Sequence, residues 1–112
     1  MYPQVSDNMQ GEGVAECNST NPSITVQAYI QKLDTHWFTV ARGPLKGPMH
    51  TQVTGSVGYD AQGQTGTFAT YVRGNYKFTY ALDRSNSPGS GCAFISDYEY
   101  YCAARSQTYK AQ

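Results

Sequence analysis

Charge is scarce in this sequence. Only 14% of its 112 residues are Asp, Glu, Lys or Arg, and eight acids balance eight bases to a formal net charge of zero. A balanced, charge-poor chain has no strong electrostatic claim on duplex nucleic acid or an anionic membrane. Disorder is excluded as well. Disordered chains combine few aromatics with high net charge, whereas 13% of these residues are aromatic. No apolar run approaches the roughly 18–20 residues of a membrane-spanning helix. Met1-Tyr2-Pro3-Gln4 has neither the basic nor the apolar region of a signal peptide. That start fits a mature exported form with an added initiator Met as well as it fits a cytosolic chain. Helical periodicity is missing too, since no stretch sustains apolar residues at a 3.6-residue period. Gly-x-Ser-x-Gly, a phosphate loop, zinc-spaced cysteines and Cys-x-x-Cys are all absent. Neither a metal nor a cofactor is expected.

What remains is strand chemistry. Ten tyrosines, with Thr, Ser, Gln and Gly, supply the polar surface, the composition of strands whose outer faces are neutral. Ile24, Val26, Ala28 and Ile30 alternate with polar residues and predict a half-buried strand. His36–Arg42 predicts a second, and Thr51–Tyr59 a third whose glycines suggest a bulge or a close backbone contact. Phe68–Leu82 is the strongest segment. Gly74-Asn75 divides two aromatic and β-branched arms, which predicts a hairpin with a two-residue loop. Its alternation would put Tyr71, Arg73, Tyr76, Phe78 and Tyr80 on one face. Cys92–Ile95 and Tyr98–Ala103 predict a closing hairpin around Ser96-Asp97. Two prolines and two glycines make Gly43–Pro48 a long exposed loop, and Asp83–Gly91 is a polar one. Together these predict one all-β domain, a small antiparallel β-sandwich or barrel of about six to eight short strands. Residues 1–13 read as a flexible N-terminal arm and 106–112 as a frayed C-terminal tail.

The cysteines are Cys17, Cys92 and Cys102. Small size, low charge and the Asn18-Ser19-Thr20 glycosylation sequon favour disulfide chemistry and export. Cys92 with Cys102 would staple the closing hairpin, worth roughly 3 kcal/mol in the chain-entropy model. Cys17 with Cys102 would tie the chain ends together, worth roughly 4–5 kcal/mol. The long-range bridge is preferred, because it anchors an arm with little else to hold it.

Two short motifs bear on function. Asp97-Tyr98-Glu99-Tyr100-Tyr101-Cys102-Ala103-Ala104-Arg105 resembles the end of strand F in immunoglobulin variable domains, where the cysteine bridges to strand B across a core Trp. The likeness ends there, since Trp37 stands too far beyond Cys17 and no Gly-rich strand follows Cys102. Arg73–Tyr80 resembles the basic-Gly-aromatic signature of RNA-recognition domains. On that likeness Tyr76, Phe78 and Tyr80 would stack bases while Arg73 and Lys77 met phosphates. Catalysis has a thin inventory. His36 or His50 with Glu99 and Arg73 is a set able to cleave RNA by general acid–base chemistry. A secreted ribonuclease-like hydrolase is therefore one alternative reading and a single-stranded nucleic-acid binder another, the neutral charge arguing against the second.

The leading expectation is recognition without chemistry. Ten Tyr and one Trp exceed what a core of this size needs, and exposed aromatics suit sugar faces and protein hot spots. In composition the chain resembles small secreted microbial proteins, fungal elicitors and effectors among them. The expectation is a secreted, host-interacting or glycan-binding protein whose contacts come from Trp37, Leu45, Tyr71, Arg73 and Tyr76.

Overall fold

The computed structural model describes residues 8–17, 22–106 and 108–111. Among them the chain is all-β: β1 (Asn8–Glu16), β2 (Ser23–Leu33), β3 (Trp37–Arg42), β4 (Lys46–Met49), β5 (Gln52–Asp60), β6 (Gly66–Lys77), β7 (Cys92–Ser96), β8 (Glu99–Arg105) and β9 (Tyr109–Ala111). The strands form two antiparallel layers in a flat body of 55 × 27 × 17 Å. One layer is a ribbon of β1 and β5. In the other, β2 and β6 pair along their whole length at the centre. Strands β3 and β4 share the far edge of β2, β8 and β9 share the far edge of β6, and β7 lies beyond β8.

Alternation explains the core. Ile24, Val26, Ala28 and Ile30 of β2 all point toward the ribbon and are fully buried. Phe68, Thr70 and Tyr76 of β6 point the same way and meet Met9, Ala15, Val53 and Val57. Each fully buried large side chain contributes about 1.5–3 kcal/mol. The ribbon sits close to the sheet because glycines face it. A Cβ on Gly13 would lie 2.5 Å from Val72 Cγ2, and one on Gly74 would lie 2.9 Å from the Ala15 Cβ.

That contact overturns the central hairpin. Residues 66–77 are one strand, and Gly74-Asn75 runs straight through its middle. Gly74 makes room for β1 rather than a turn. A strand paired along both edges, with β2 on one side and β8 on the other, also satisfies more backbone groups than two short arms would. The chain leaves the sheet only after Lys77. Other boundaries move for similar reasons. Residues 8–13, expected in a flexible arm, pair with Gly55–Asp60. Lys46–Pro48, expected in a loop, belong to β4, which lies against β2, and Tyr109–Ala111 of the expected tail pairs with Gly66–Phe68. Residues 1–7 of the arm and the Asn18 sequon lie outside the described residues.

The preferred disulfide is corrected as well. Cys92 bonds to Cys102, its direct cross-strand neighbour in the β7–β8 hairpin. The immunoglobulin-type bridge between layers is therefore not formed by Cys102. The N-terminal segment is held by its ladder to β5 instead, and Cys17 packs half-buried against the core cluster at that end.

That cluster is aromatic. Tyr100 stacks on Tyr76 at 5.1 Å and on Phe78 at 5.6 Å between ring centroids. Burial raises the phenols of Tyr76 and Tyr100 above their ordinary value of 10.0. A folded-state pKa above the unfolded one adds stability that is complete below the unfolded value and is lost as pH climbs through the folded one. The urea midpoint should therefore hold up to about pH 9.5 and fall above about pH 10. The double variant Tyr76→Phe/Tyr100→Phe should lose that fall. An unchanged wild-type midpoint at pH 11 would contradict this account.

Candidate binding face

The face of the large sheet turned away from the ribbon carries a second set of aromatics, Tyr29, Trp37, Tyr71 and Tyr101. Odd-numbered residues of β2 and β6 point to it, and register brings them into rows. Tyr29 pairs with Tyr71, Gln27 with Arg73 and Thr25 with Asn75. Across β6, Tyr71 faces Arg105, Asn75 faces Tyr101 and Lys77 faces Glu99. On the other flank Arg42 faces Tyr29 and Trp37 faces Leu33.

Guanidinium groups lie against the rings. Arg73 stands over Tyr101 at 4.0 Å from the ring centroid. Arg105 lies 4.9 Å from Trp37 and 5.5 Å from Tyr71, and Arg42 lies 5.8 Å from Tyr29. Such contacts hold the long arginines flat and fix the rings beneath them. Hydrogen bonds order the polar groups between. Arg73 Nε donates to Asn75 Oδ1 at 3.2 Å, and Asn75 Nδ2 donates to Glu99 Oε2 at 3.1 Å. Arg105 Nε donates to Gln31 Oε1, Tyr29 OH donates to Gln27 Oε1, and Gln27 Nε2 donates to the Gly43 carbonyl. Beside this network is a shallow pocket of about 280 Å³ lined by Thr25, Gln27, Tyr29, Leu45, Arg73 and Asn75. Leu45 is 63% exposed at its rim.

Charge is segregated between the two layers. The outer face holds Arg42, Arg73, Arg105 and Lys77 against one carboxylate, Glu99. On the outward side of the ribbon the charged residues are Glu12, Glu16 and Asp60, all acidic. A net charge of zero thus conceals a cationic face and an acidic one.

Of the residues expected to bind, Trp37, Leu45, Tyr71 and Arg73 share this outer face. Tyr76 does not. It is 8% exposed and belongs to the core, because without a turn at Gly74 its parity is opposite to that of Tyr71. Phe78 is buried with it, so neither ring is placed to stack on bases. Sequence reasoning missed Tyr29, Tyr101, Arg42 and Arg105. Tyr29 was legible, since it stands out of phase with the apolar residues of its own strand. Tyr101 and Arg105 reach the site only through the β6–β8 register.

The catalytic set does not come together. His36 lies in the turn beyond Leu33, while Glu99 and Arg73 meet at Asn75, opposite Thr25. Eight strand residues, about 26 Å, separate those two ends of β2. His50 is exposed after β4, and among the described residues neither imidazole hydrogen-bonds Glu99 or Arg73. No group of three or more His, Cys, Asp or Glu among the described residues could hold a metal ion. No described helix is long and apolar enough to cross a membrane. Compared with protein-family models, curated proteins and solved structures, the chain matches none.

Proposed function

We propose that this chain is an exported, non-catalytic binding module that holds an elongated glycan across the outer face of its seven-stranded sheet. The observation that carries this reading is the row of arginine-capped rings. Trp37, Tyr71, Tyr29 and Tyr101 lie on one open face, interleaved with Gln27, Gln31 and Asn75. The ring surface that the guanidinium groups leave uncovered suits the apolar C–H surface of a sugar, and the neighbouring amides and guanidinium groups suit its hydroxyls. A flat sheet also offers several equivalent contacts along one direction, as a chain of sugars requires. Export is supported by the Cys92–Cys102 disulfide, a bond that persists in oxidising compartments. An exported glycan binder would meet its ligand on the surface of another cell, which fits the host-interacting role expected from composition.

One observation favours a second reading. Four cations against one carboxylate would also hold the phosphates of a single-stranded nucleic acid, with the same rings stacking on bases. Titration calorimetry with neutral and uronic-acid oligosaccharides and with a short single-stranded RNA separates the two. The expected result is oligosaccharide binding that weakens about tenfold or more, 1.4 kcal/mol per decade, in Trp37→Ala. RNA binding with a log–log salt slope of about −0.7 per phosphate contact, and no sugar binding, would replace the glycan reading with the second. Binding of neither overturns both.

A further inference from the structure

Strand β1 has two edges, and only one is engaged by β5. The Cys17 N–H donates to the Thr51 carbonyl at 2.9 Å. That pair continues a register in which Ala15 faces Val53, Gly13 faces Gly55 and Gly11 faces Val57. The odd-numbered residues are therefore the ones that exchange both backbone bonds with β5, and the even-numbered residues turn N–H and C=O to the opposite edge. At Glu16 the Tyr76 phenol hydrogen-bonds the backbone on that side. At Gln10, Glu12 and Val14 no described residue does so.

The layers leave a place beside this edge. Strand β5 stands over β2, with Gly55 on Val26, and β1 stands over β6, with Gly11 on Thr70 and Gly13 on Val72. The next strand of the large sheet is β8, and no described strand lies over it. A groove of about 380 Å³ follows β1 there, lined by Glu12, Val14, Val72, Cys102 and Ala104 among others. Neighbouring strands in a sheet lie about 4.8 Å apart, so a strand paired to β1 falls directly above β8. The side chains beneath it are small or half-buried. Gln10, Glu12, Val14 and Glu16 of β1 turn outward beside it, and the two charged ones, Glu12 and Glu16, are both acidic.

We propose that this groove takes an extended segment of another polypeptide, which adds to β1 as the third strand of the ribbon and carries basic side chains alternating with small ones. The backbone groups of Gln10, Glu12 and Val14 supply the ladder. The small residues of the segment point down onto Cys102 and Ala104, and its Lys or Arg residues lie beside Glu12 and Glu16. This site is on the opposite side of the large sheet from the aromatic face and does not depend on the glycan reading.

Proline tests the ladder cleanly. At Glu12 or Val14 it removes an N–H that points away from β5, so the β1–β5 bonds stay whole. A displayed library of random peptides is selected on the folded wild-type protein, and enriched sequences are synthesised. Peptides with alternating basic residues are expected, with affinity lost at least tenfold in Glu12→Pro and Val14→Pro and unchanged in Trp37→Ala. Glu12→Lys keeps every backbone N–H and reverses the charge, and it should weaken the same peptides about tenfold. Near-ultraviolet circular dichroism shows that each variant remains folded. The proposal is overturned if no peptide is enriched, if enriched peptides bind the proline variants as they bind wild type, or if Trp37→Ala abolishes their binding. It is also overturned if sedimentation shows wild type to be a dimer that Val14→Pro converts to monomer, since the occupant is then a second copy.

Discussion

Tyr76→Ala should cost about 3–5 kcal/mol of stability, the range for emptying a large aromatic site in a core. Tyr71→Ala, five residues earlier on the same strand and only half-buried, should cost about 1–2 kcal/mol, nearer the common value for a point substitution. Tyr76 is 8% exposed, stacks on Tyr100 and bonds the Glu16 backbone. Its loss leaves a cavity at the junction of both layers. A domain of this size has about 5–15 kcal/mol in total, so the variant stands near or past its unfolding point. Tyr71 instead gives up its tilted contact with Tyr29 at 5.8 Å and the Arg105 guanidinium at 5.5 Å. Its large effect should be on ligand, a weakening of tenfold or more. Urea unfolding of both variants, followed by titration of the folded one, checks the pair. Equal destabilisation by the two substitutions would show that the rings share one environment, as a turn at Gly74 requires, and would contradict a continuous β6.

The same strand shows how far the sequence could be read. Alternation in Ile24–Ile30 identifies an inward face without any structure, because a period of two has one physical meaning in a half-buried strand. The closing hairpin and the loop at Asp83–Gly91 were legible from the same local rules, although the hairpin turn is Asp97-Tyr98, one residue beyond the expected Ser96-Asp97. Gly74 was not. A glycine between aromatic runs has two explanations, a turn or a close backbone approach, and only the position of Ala15 decides between them. Choosing the turn shifted the parity of everything after it, which put Tyr76 and Phe78 on the face of Tyr71. The error also hid the real neighbours of Tyr71, since Tyr29 and Arg105 reach it from strands distant in sequence. The cysteines follow the same pattern. Cys92 and Cys102 were paired by hairpin register, a local fact, while the preference for Cys17 rested on an arm that proves to be a strand.

Net charge misled in another way. Zero is a sum over the whole chain, and a two-layer fold divides that sum between faces with the low-dielectric core between them. Arg42, Arg73, Arg105 and Lys77 arrive on one side from three different strands, and Glu12, Glu16 and Asp60 on the other from two. At physiological salt the Debye length is about 8 Å, shorter than the body's 17 Å thinnest dimension. A ligand on either face therefore senses mainly that face. The inference from balanced composition to a neutral partner holds only where charges are mixed in space, and here they are not.

Gly13→Ala is expected to destabilise by about 1–3 kcal/mol, and Val72→Ala should relieve it. The added methyl would enter at 2.5 Å from Val72 Cγ2 and 2.8 Å from Val72 Cγ1, so either β1 lifts from the sheet or Val72 moves. Neither is cheap. Val72 packs against both core clusters, and lifting β1 loosens Met9 and Ala15 together. Overpacking of this kind costs about 1–3 kcal/mol. Val72→Ala alone opens a cavity and destabilises as well. In the double variant the new methyl occupies part of that cavity, so the combined loss should fall short of the sum by about 0.5–3 kcal/mol. Thermal and urea unfolding of the four proteins completes the cycle. Strict additivity would mean that Gly13 and Val72 are not in contact, and the seating of the ribbon on β6, from which both the core and the groove beside β1 follow, would have to be abandoned. Coupling of the expected sign would tie the placement of β1 to two residues that no periodicity in the sequence connects.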